Sequence, residues 1–285
     1  MTPLGLGDKP VHLSVWAKTD VGRQRSNNED RFLVADLTPS PHPGNPRIDG
    51  EILGPKGYLL AVADGMGGAA AGEIASELAT ETIVDRLHST WLRAKRSSIR
   101  MLASNLDQAI TEANQRIHSK ASEDPDLHGM GCTLTAVGIL GEDLVFGQVG
   151  DSRAYRVRRG KAVQITEDQS LARHLVEEGR ISEAEAEEMP GGHLILQALG
   201  PRPEVEMEVT FEKARRGDTL VLCTDGLSGV VSAEEISDAV LRSHDPAAVC
   251  EDLVELANSR GGPDNVTVVV GRLDGPGLAI PGHFE

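Results

Sequence analysis

The sequence predicts an α+β fold in which two antiparallel sheets pack face to face and pairs of helices cover the outer faces. Strand-like segments far outnumber helix-like ones, hairpin-type turns separate several neighbouring strands, and the helix-like segments occur in pairs. The 285 residues allow one large domain or two small ones. Hydrophobic residues make up 39% of the chain but aromatic residues only 3%, so we expect a core of Val, Leu, Ile and Ala.

The N-terminal half begins with strands and continues with a pair of helices. Apolar and polar residues alternate in the first strand, whereas the third is apolar throughout and is expected at the centre of a sheet. Between the second and third strands, the segment 37–57 holds five prolines and four glycines, which predicts an exposed insertion. The predicted elements are strands at 11–17, 31–36 and 58–64 and helices at 74–91 and 99–117.

The C-terminal half returns to closely spaced strands and contains a second helix pair. Turn residues at 141–142 and 159–160 are typical of hairpins. The highly charged segment 167–203 is expected to form short surface helices and a mobile loop, and residues 274–285 a flexible tail. The predicted elements are strands at 133–140, 143–149, 153–157, 162–165, 205–211, 219–223 and 266–273 and helices at 233–241 and 246–259.

Composition argues against several classes of function. A net charge of −16 disfavours nucleic acid as a partner, because nucleic-acid binding requires a basic footprint. No apolar run approaches the roughly 20 residues of a membrane span, and the N-terminus lacks the pattern of a signal peptide. The three cysteines show no CxxC spacing, which fits buried thiols in a reducing cytosol. We therefore expect a cytoplasmic protein without membrane contact.

Acidic turn motifs are the most informative feature of the chain. A strand end can deliver a carboxylate to a shared site. Carboxylate oxygens are hard ligands, which suit Mg²⁺ or Mn²⁺ better than Zn²⁺. The pattern therefore predicts an enzyme that holds a cluster of such ions. The motifs, each beside a strand-like run, are Glu29-Asp30, Asp64-Gly65, Asp151, Asp225-Gly226 and Asp264-Asn265.

Taken singly, an Asp-Gly pair has an ordinary explanation as a turn dipeptide. Asp64 differs because it ends an apolar strand, where an unpaired carboxylate is costly to bury unless a cation compensates its charge. A phosphate-binding P-loop is the competing interpretation of the glycines between 65 and 68, but its Gly-Lys-Ser/Thr ending is absent. Arg25, five residues before Asp30, has a guanidinium fork that matches phosphate oxygens.

Two ions about 3.5–4 Å apart can activate a bridging water for in-line phosphoryl displacement without a protein nucleophile. No cysteine stands in the CxxxxxR loop of thiol-dependent phosphatases. The dipeptide His244-Asp245 precedes a proline and predicts a helix cap rather than a hydrolase motif. Metal-assisted phosphoester hydrolysis is therefore the favoured chemistry.

An ordered set of motifs resembles the bacterial form of the metal-dependent protein phosphatases, the type-2C serine/threonine family. The resemblance covers about residues 12–273. It implies a four-layer α/β/β/α sandwich, in agreement with the layers expected from the elements. The matching residues are Gly22, Arg25, Asn28-Glu29-Asp30, Asp64-Gly65-Met66-Gly67-Gly68, Ala71-Gly72-Glu73, Gly129, Gly131-Cys132-Thr133, Gly150-Asp151-Ser152-Arg153, Thr224-Asp225-Gly226 and Asp264-Asn265.

The resemblance also implies a metal site. Asp64 would bridge two ions, Mn²⁺ or Mg²⁺, and the backbone carbonyl of Gly65 would bind one of them. Asp225 and Asp264 would complete the shell of the first ion. The sequence does not distinguish Mn²⁺ from Mg²⁺, because oxygen ligands accept both.

Further residues would surround this pair of ions. By the same resemblance, Glu29 and Asp30 would act nearby, largely through bound water. Asp151 would help to hold a third, weaker ion, and Arg25 would bind the phosphate. Met66 stands where many eukaryotic members have a histidine proposed as general acid.

The resemblance suggests a domain organisation as well. Residues 1–273 would form a single catalytic domain, with a flap at about 167–203 that influences substrate choice. Gln169 stands in this flap where bacterial relatives often have histidine. The insertion at 37–57 is longer than expected for the family, and 274–285 would be the flexible tail.

The leading hypothesis is a Mn²⁺- or Mg²⁺-dependent phosphatase that acts on phosphoserine and phosphothreonine in proteins. The sequence does not name the substrate, but we expect a partner Ser/Thr protein kinase and its targets. One alternative is a pseudophosphatase, a binding or scaffold module that keeps the fold without turnover. Another is a metal-dependent hydrolase of small phosphoesters or a nuclease.

Overall fold

The computed structural model describes residues 9–38, 46–68, 71–187, 189–192 and 194–282. Within them, two antiparallel sheets lie face to face between pairs of helices. The strands are β1 (His12–Asp20), β2 (Arg31–Asp36), β3 (Arg47–Ile52), β4 (Tyr58–Ala63), β5 (Gly65–Met66), β6 (Gly131–Cys132), β7 (Leu134–Leu140), β8 (Asp143–Val149), β9 (Arg153–Arg158), β10 (Lys161–Gln164), β11 (Glu208–Lys213), β12 (Thr219–Cys223) and β13 (Val266–Asp274). The α-helices are α1 (Ala71–Thr90), α2 (Ile99–Glu123), α3 (Leu171–Glu177), α4 (Glu183–Glu187), α5 (Asp225–Ser228), α6 (Ala233–Arg242) and α7 (Pro246–Ser259).

The strand order defines two large sheets and one short ribbon. The six-stranded sheet has the order β10-β9-β12-β13-β1-β3, and the five-stranded sheet has the order β11-β8-β7-β4-β2. Strands β5 and β6 form a separate ribbon that pairs Gly65 with Cys132 and Met66 with Gly131. The pairs of neighbouring strands are antiparallel, so short hairpins can connect several of them.

Strand β4 shows how the layers are built, because all six of its residues are buried. Its residue Leu59 belongs to the core between the five-stranded sheet and helices α1 and α2, and Leu60 belongs to the core between the sheets. A third core layer contains Val221 of β12 and Leu253 of α7. Burying one such side chain stabilises the fold by about 1.5–3 kcal/mol. Three core layers separate four structural layers, which confirms the predicted α/β/β/α sandwich.

Strand β3 is the main element that the sequence did not predict. It lies within the segment expected to be an exposed insertion, and it pairs with β1 at the edge of the six-stranded sheet. Of its residues, only Ile48 is buried. An edge strand with so little apolar character lacks the period-2 signal of an interior strand. Residues 39–45 of the same segment lie outside the described part, and the roles of 37–57 as an insertion and 274–285 as a flexible tail remain predictions.

Local capping signals mark the starts of the outer helices. The cap predicted at His244-Asp245 is confirmed: Asp245 is the N-cap of α7, and its Oδ1 accepts a hydrogen bond from the backbone N–H of Ala247 at 3.1 Å. Helix α6 begins with a capping box formed by Ser232 and Glu235. These side chains satisfy backbone N–H groups that the first helical turn leaves unpaired.

The three cysteines are free and buried, as their spacing predicts. Cys132 lies in β6, Cys223 ends β12 and Cys250 lies in α7. Burial raises the pKa of all three thiols, to about 12 for Cys223. None of the helices within the described residues combines the length and the apolar character that crossing a bilayer requires.

Candidate metal centre

The structure brings the five singled-out aspartates to one end of the sandwich, although they are distant in sequence. Asp64 directly follows β4 of the five-stranded sheet, and Asp225 opens α5 after β12 of the six-stranded sheet. The carboxyl groups of Asp64 and Asp225 share a hydrogen bond, and Asp30 and Asp151 lie within electrostatic reach of Asp64. Asp264, two residues before β13, lies within reach of Asp30. The site therefore forms where the ends of both sheets meet.

Burial and mutual repulsion raise the pKa of three of these carboxyl groups. Burial raises the pKa of Asp30 to about 7, and the charges of Asp225 and Asp264 add to the effect. Burial also raises the pKa of Asp151 to about 7, again with a contribution from Asp225. The pKa of Asp64 lies well above its usual range, first because of burial and then because of Asp30 and Asp225. Without a cation, the site favours bound protons.

Two buried carboxylate oxygens have no hydrogen-bond partner within the described residues. They are Oδ1 of Asp30, which is 1% exposed, and Oδ1 of Asp151, which is 8% exposed. A buried acceptor without a partner costs about 1–3 kcal/mol, and more when it is charged. A cation bound at the site would remove this cost.

The donor chemistry fits a hard divalent ion. The candidate ligands are carboxylates, which Mg²⁺ and Mn²⁺ prefer. No hydrogen-bond donor among the described residues reaches Oδ1 of Asp30 or Oδ1 of Asp151, so both oxygens can accept a cation. Within the described ranges, no three His, Cys, Asp or Glu side chains form a ready-made cage around one point. Because carboxyl groups release protons when they bind a metal, ion binding and the raised pKa values are linked.

Buried hydroxyl groups connect the Asp64 turn to the turn that carries Asp151. The backbone N–H of Asp64 donates to Oγ1 of Thr133 at 3.1 Å, and the backbone N–H of Thr133 donates to the carbonyl of Asp64 at 2.8 Å. Oγ1 of Thr133 lies 2.7 Å from Oγ of Ser152, whose carbonyl accepts a hydrogen bond from Thr135 at 2.7 Å. The motif residues Thr133 and Ser152 thus position the backbone of both acidic turns.

A second hydroxyl network surrounds Asp30. Oγ1 of Thr224 donates to Oδ2 of Asp30 at 2.8 Å and accepts the backbone N–H of Thr267 at 3.0 Å. Hydrogen bonds from the side chains of Thr267 and Thr224 lower the pKa of Asp30 and partly offset its burial. Because Thr224 directly precedes Asp225, one residue helps to place two carboxylates. Sequence reasoning quoted Thr224 in a motif but assigned it no role.

Asn265 holds the loop that carries Glu29 against the start of β13. Its Oδ1 accepts the backbone N–H of Glu29, and its Nδ2 donates to the carbonyls of Val21 and Asn27, each at 2.9 Å. Its own backbone N–H donates to Oδ1 of Asp264 at 2.8 Å. The Asp-Asn pair therefore combines a candidate metal ligand with a residue that fixes the neighbouring loop.

Glycines bring Glu29 close to the Asp64 turn. An added Cβ at Gly72 would lie 2.0 Å from Oε2 of Glu29, and one at Gly65 would lie 2.5 Å from the Glu29 carbonyl. Ser76 Oγ of α1 donates to this carbonyl at 2.6 Å. A side chain at Gly72 would therefore displace the Glu29 carboxylate, and one at Gly65 would clash with the Glu29 backbone.

Arg25, the predicted phosphate ligand, contacts Asp264 directly. Its Nη2 donates to Oδ2 of Asp264 at 2.6 Å, and 54% of its side chain remains exposed. The hydrogen bond and the charge of Asp264 raise the pKa of the guanidinium. The sequence did not predict this pair, because 239 positions separate the two residues.

The predicted flap is tied to the turn that carries Asp151. Short helices α3 and α4 lie in this segment, as predicted. Gln169 pairs with Gly150 twice: its Oε1 accepts the backbone N–H of Gly150 at 2.8 Å, and its own N–H donates to the Gly150 carbonyl at 3.0 Å. Arg153 and Asp168 form a forked ion pair beside it, with Nε–Oδ1 and Nη2–Oδ2 distances of 2.9 and 2.6 Å. Gln169 therefore anchors the base of the flap.

Comparison with known proteins decides the family. A family model described as protein phosphatase 2C matches residues 52–261. The serine/threonine protein phosphatase PstP of Mycobacterium tuberculosis is 41% identical over 254 residues, which cover 89% of this chain. The chain belongs to the protein phosphatase 2C family. It spans 44% of the length of PstP, and the resemblance seen in the motifs is confirmed.

Solved structures of other phosphatases share this protein phosphatase 2C fold. The S. agalactiae serine/threonine phosphatase has a TM-score of 0.79 at 32% identity, covering 91% of this chain and 98% of that chain. The PstP catalytic domain in complex with two manganese ions has a TM-score of 0.74 at 39% identity, covering 93% and 99%. The two-ion site is a property of that PstP structure. The roles of the individual site residues here remain predictions.

Proposed function

We propose that this member of the protein phosphatase 2C family hydrolyses phosphoserine and phosphothreonine in proteins, with Mn²⁺ or Mg²⁺ as cofactor. The observation that best supports this proposal is the group of buried carboxylates where the two sheets meet, with unpaired oxygens on Asp30 and Asp151. The similarity to a PstP catalytic domain that holds two manganese ions supports the same chemistry. Residues 1–273 would form the catalytic domain.

The metal ligands would come from four acidic turns. Asp64 would bridge two ions, with the Gly65 carbonyl on one of them, and Asp225 and Asp264 would complete the shell of the first ion. When bound, the ions would lower the pKa of water and offset the negative charge that develops on the phosphoryl oxygens. Asp151 would contribute to a third, weaker site, a role that its unpaired Oδ1 supports.

The protein's own residues would position the reacting groups. Arg25 would give up part of its contact with Asp264 and donate two hydrogen bonds to phosphoryl oxygens. Its guanidinium is exposed, which permits this change. Asp30 and Glu29 would order water near the ions. The proton shared by Asp64 and Asp225 would be released as cations bind. Because residue 66 is methionine, no side chain at this position would protonate the leaving oxygen.

The substrates would be phosphoproteins, and a Ser/Thr protein kinase with its targets is the natural source of them. A net charge of −16 disfavours nucleic acid as a competing substrate. The three free, buried cysteines fit a reducing compartment and support a cytoplasmic location.

Hydrolysis of a phosphothreonine peptide, with and without Mn²⁺ or Mg²⁺, tests the proposal. Asp64→Asn should lower turnover by roughly 10³-fold or more, the scale of losing a principal electrostatic element of catalysis. Asp238→Asn on the exposed face of α6 is the matched control and should match wild type. Full activity in folded Asp64→Asn would refute the metal assignment.

Two other outcomes would favour the alternative functions. A folded wild-type protein without turnover under either ion would indicate a scaffold rather than an enzyme. Cleavage of plain DNA or RNA at rates above that of the phosphopeptide would indicate a nuclease.

Arg25→Lys tests the phosphate ligand separately. Lysine keeps the charge but loses the two-point hydrogen bonding, so kcat/KM should fall about tenfold, equal to about 1.4 kcal/mol. Arg23→Lys, at an exposed position two residues earlier, should leave kcat/KM unchanged. Equal values for both variants would remove Arg25 from the proposed site.

A further inference from the structure

A pocket lined by arginines lies at the end of the six-stranded sheet opposite the carboxylates. Strand β9 starts two residues after Asp151 and ends at Arg158, and β13 starts two residues after Asp264 and reaches Arg272 near its end. At about 3.3 Å per residue, the six residues of β9 put roughly 20 Å between the two ends. We call this pocket, lined by Arg159, Arg216, Arg272 and His244, the distal pocket.

The distal pocket is basic in an acidic protein. Its volume is about 290 Å³, and Val157 and Val240 form part of its apolar wall. Across the residues that the structure describes, no acidic side chain lines it. Such a gathering of cations is notable in a chain whose net charge is −16.

Backbone carbonyl oxygens hold two of the guanidinium groups in place. Arg159 donates from Nη1 to the carbonyl of Gly282 at 2.6 Å and from Nη2 to that of Pro281. Nε of Arg216 donates to the carbonyl of Gly275 at 3.0 Å. A neutral carbonyl orients a guanidinium without cancelling its charge, so both groups keep the attraction for an anion.

The other two arginines that line the pocket, Arg158 and Arg272, differ in how well a carboxylate balances their charge. Arg158 is buried, and Asp218 accepts hydrogen bonds from its Nε and Nη2 at 2.8 Å each, so its charge is balanced. Arg272 has Asp274 at 3.9 Å, and that aspartate is half-exposed. A long, exposed contact of this kind contributes little. Three arginines of the distal pocket therefore remain available to an anion.

We propose that the distal pocket binds a phosphate monoester or inorganic phosphate at a site separate from the metal centre. Arginine forks match phosphate oxygens, and the ring of His244 can add an N–H donor. The pocket is at the small end of the range for ligand sites, about 300–1,000 Å³, which suits a single phosphate group. The source of the phosphate is either the free anion or a phosphorylated residue of a polypeptide.

Calorimetric titration of the whole, chelator-treated protein tests this site without turnover. The probes are inorganic phosphate, a phosphothreonine peptide and the same peptide without phosphate. Without metal, the acidic end repels anions, so bound phosphate reports the distal pocket. The Arg216→Gln/Arg272→Gln double variant should bind phosphate at least tenfold more weakly. Arg242→Gln, on the neighbouring helix and outside the pocket, should bind like wild type.

The two phosphate probes distinguish the source of the ligand. Equal affinity for both means that the free anion suffices, whereas at least tenfold tighter binding of the phosphopeptide means that a polypeptide carries the phosphate. Unweakened binding by the double variant, or no binding by wild type, would overturn the proposal. Should the double variant fail to fold, Arg216→Glu at an exposed position takes its place. Metal-dependent turnover within twofold of wild type in these variants separates this result from the proposed catalytic function.

Discussion

The two ends of the six-stranded sheet differ in whether their buried charges are balanced by a partner. At one end, β12 and β13 adjoin Asp225 and Asp264, and the carboxyls grouped around them have raised pKa values and unpaired oxygens. At the other end, Arg158 and Asp218 are buried as a complete pair, with Arg158 also donating to the carbonyl of Lys213 at 2.9 Å. The same strands thus connect a group of buried carboxylates that lacks compensation to a buried ion pair that is complete.

This difference separates charge that serves structure from charge that awaits a ligand. A buried pair with satisfied hydrogen bonds leaves nothing for a ligand to improve. A buried group of like charges keeps a cost that a cation can remove, so metal binding and stability become linked. The unpaired buried carboxylate oxygens, which among the described residues belong to Asp30 and Asp151, therefore mark the candidate metal site.

Among single substitutions, breaking the buried Arg158–Asp218 pair should have the largest effect on stability. Asp218→Ala removes the carboxylate that balances the buried guanidinium of Arg158 and should lower the free energy of unfolding by about 3–5 kcal/mol. Urea denaturation measures the change. The control is Asp49→Ala, which removes an exposed pair with Arg47 and should cost less than about 1 kcal/mol. Similar losses in both variants would contradict the assigned difference between buried and exposed pairs.

The acidic end should make the metal-free protein less stable as the pH rises. The folded pKa values of Asp30 and Asp151, about 7, exceed the ordinary value of 3.8, so the folded state binds protons more tightly than the unfolded state. Their stabilising effect is complete below about pH 4 and is lost as the pH rises to about 7. The rise from 3.8 to about 7 is roughly three pKa units, and at about 1.4 kcal/mol per unit the loss is at most about 4 kcal/mol for each group.

Denaturation at several pH values in chelator measures this loss. Asp151→Asn removes one of the two groups and should show a smaller decline than wild type. Addition of Mn²⁺ above pH 7 should restore stability to wild type more than to the variant. A decline of the same size in both proteins would show that Asp151 does not titrate in this range.

Removing one hydroxyl should have a smaller effect. Thr224→Val removes the hydrogen bond to Asp30 Oδ2 and the acceptor of the Thr267 N–H, and it should cost about 1–3 kcal/mol. Thr210→Val on edge strand β11 lacks such bonds and should be nearly neutral or slightly stabilising. Thermal denaturation of both variants provides the comparison, and an unchanged melting temperature in Thr224→Val would exclude the network as a source of stability.

Local patterns in the sequence predicted the layers of the fold and the location of the site. Strand β4 is apolar throughout because one face packs on helices and the other on the second sheet. Asp64 directly follows β4 and Asp225 follows β12 after one residue, so each motif could be placed at a strand end before the pairing of strands was known. The sequence did not predict strand β3, because a mostly exposed edge strand shows no clear alternation of apolar and polar residues.

The contacts within the site could not be read from the chain in the same way. The pair of Arg25 with Asp264 and the bonds of Thr224 to Asp30 depend on strand order, which joins distant parts of the sequence. The distal pocket was missed for a related reason. Its arginines lie on different elements, and a negative total charge conceals their local excess.

The position of Cys132 has a consequence for oxidative stress. This residue pairs with Gly65 in the ribbon next to the Asp64 turn, yet its thiol is fully buried. Burial keeps its pKa raised, as it does for Cys223 and Cys250, so none of the three offers the exposed thiolate that peroxide attacks. The proposed metal-dependent hydrolysis uses no thiol, so peroxide that oxidises a cysteine nucleophile should find no equivalent target among these three residues.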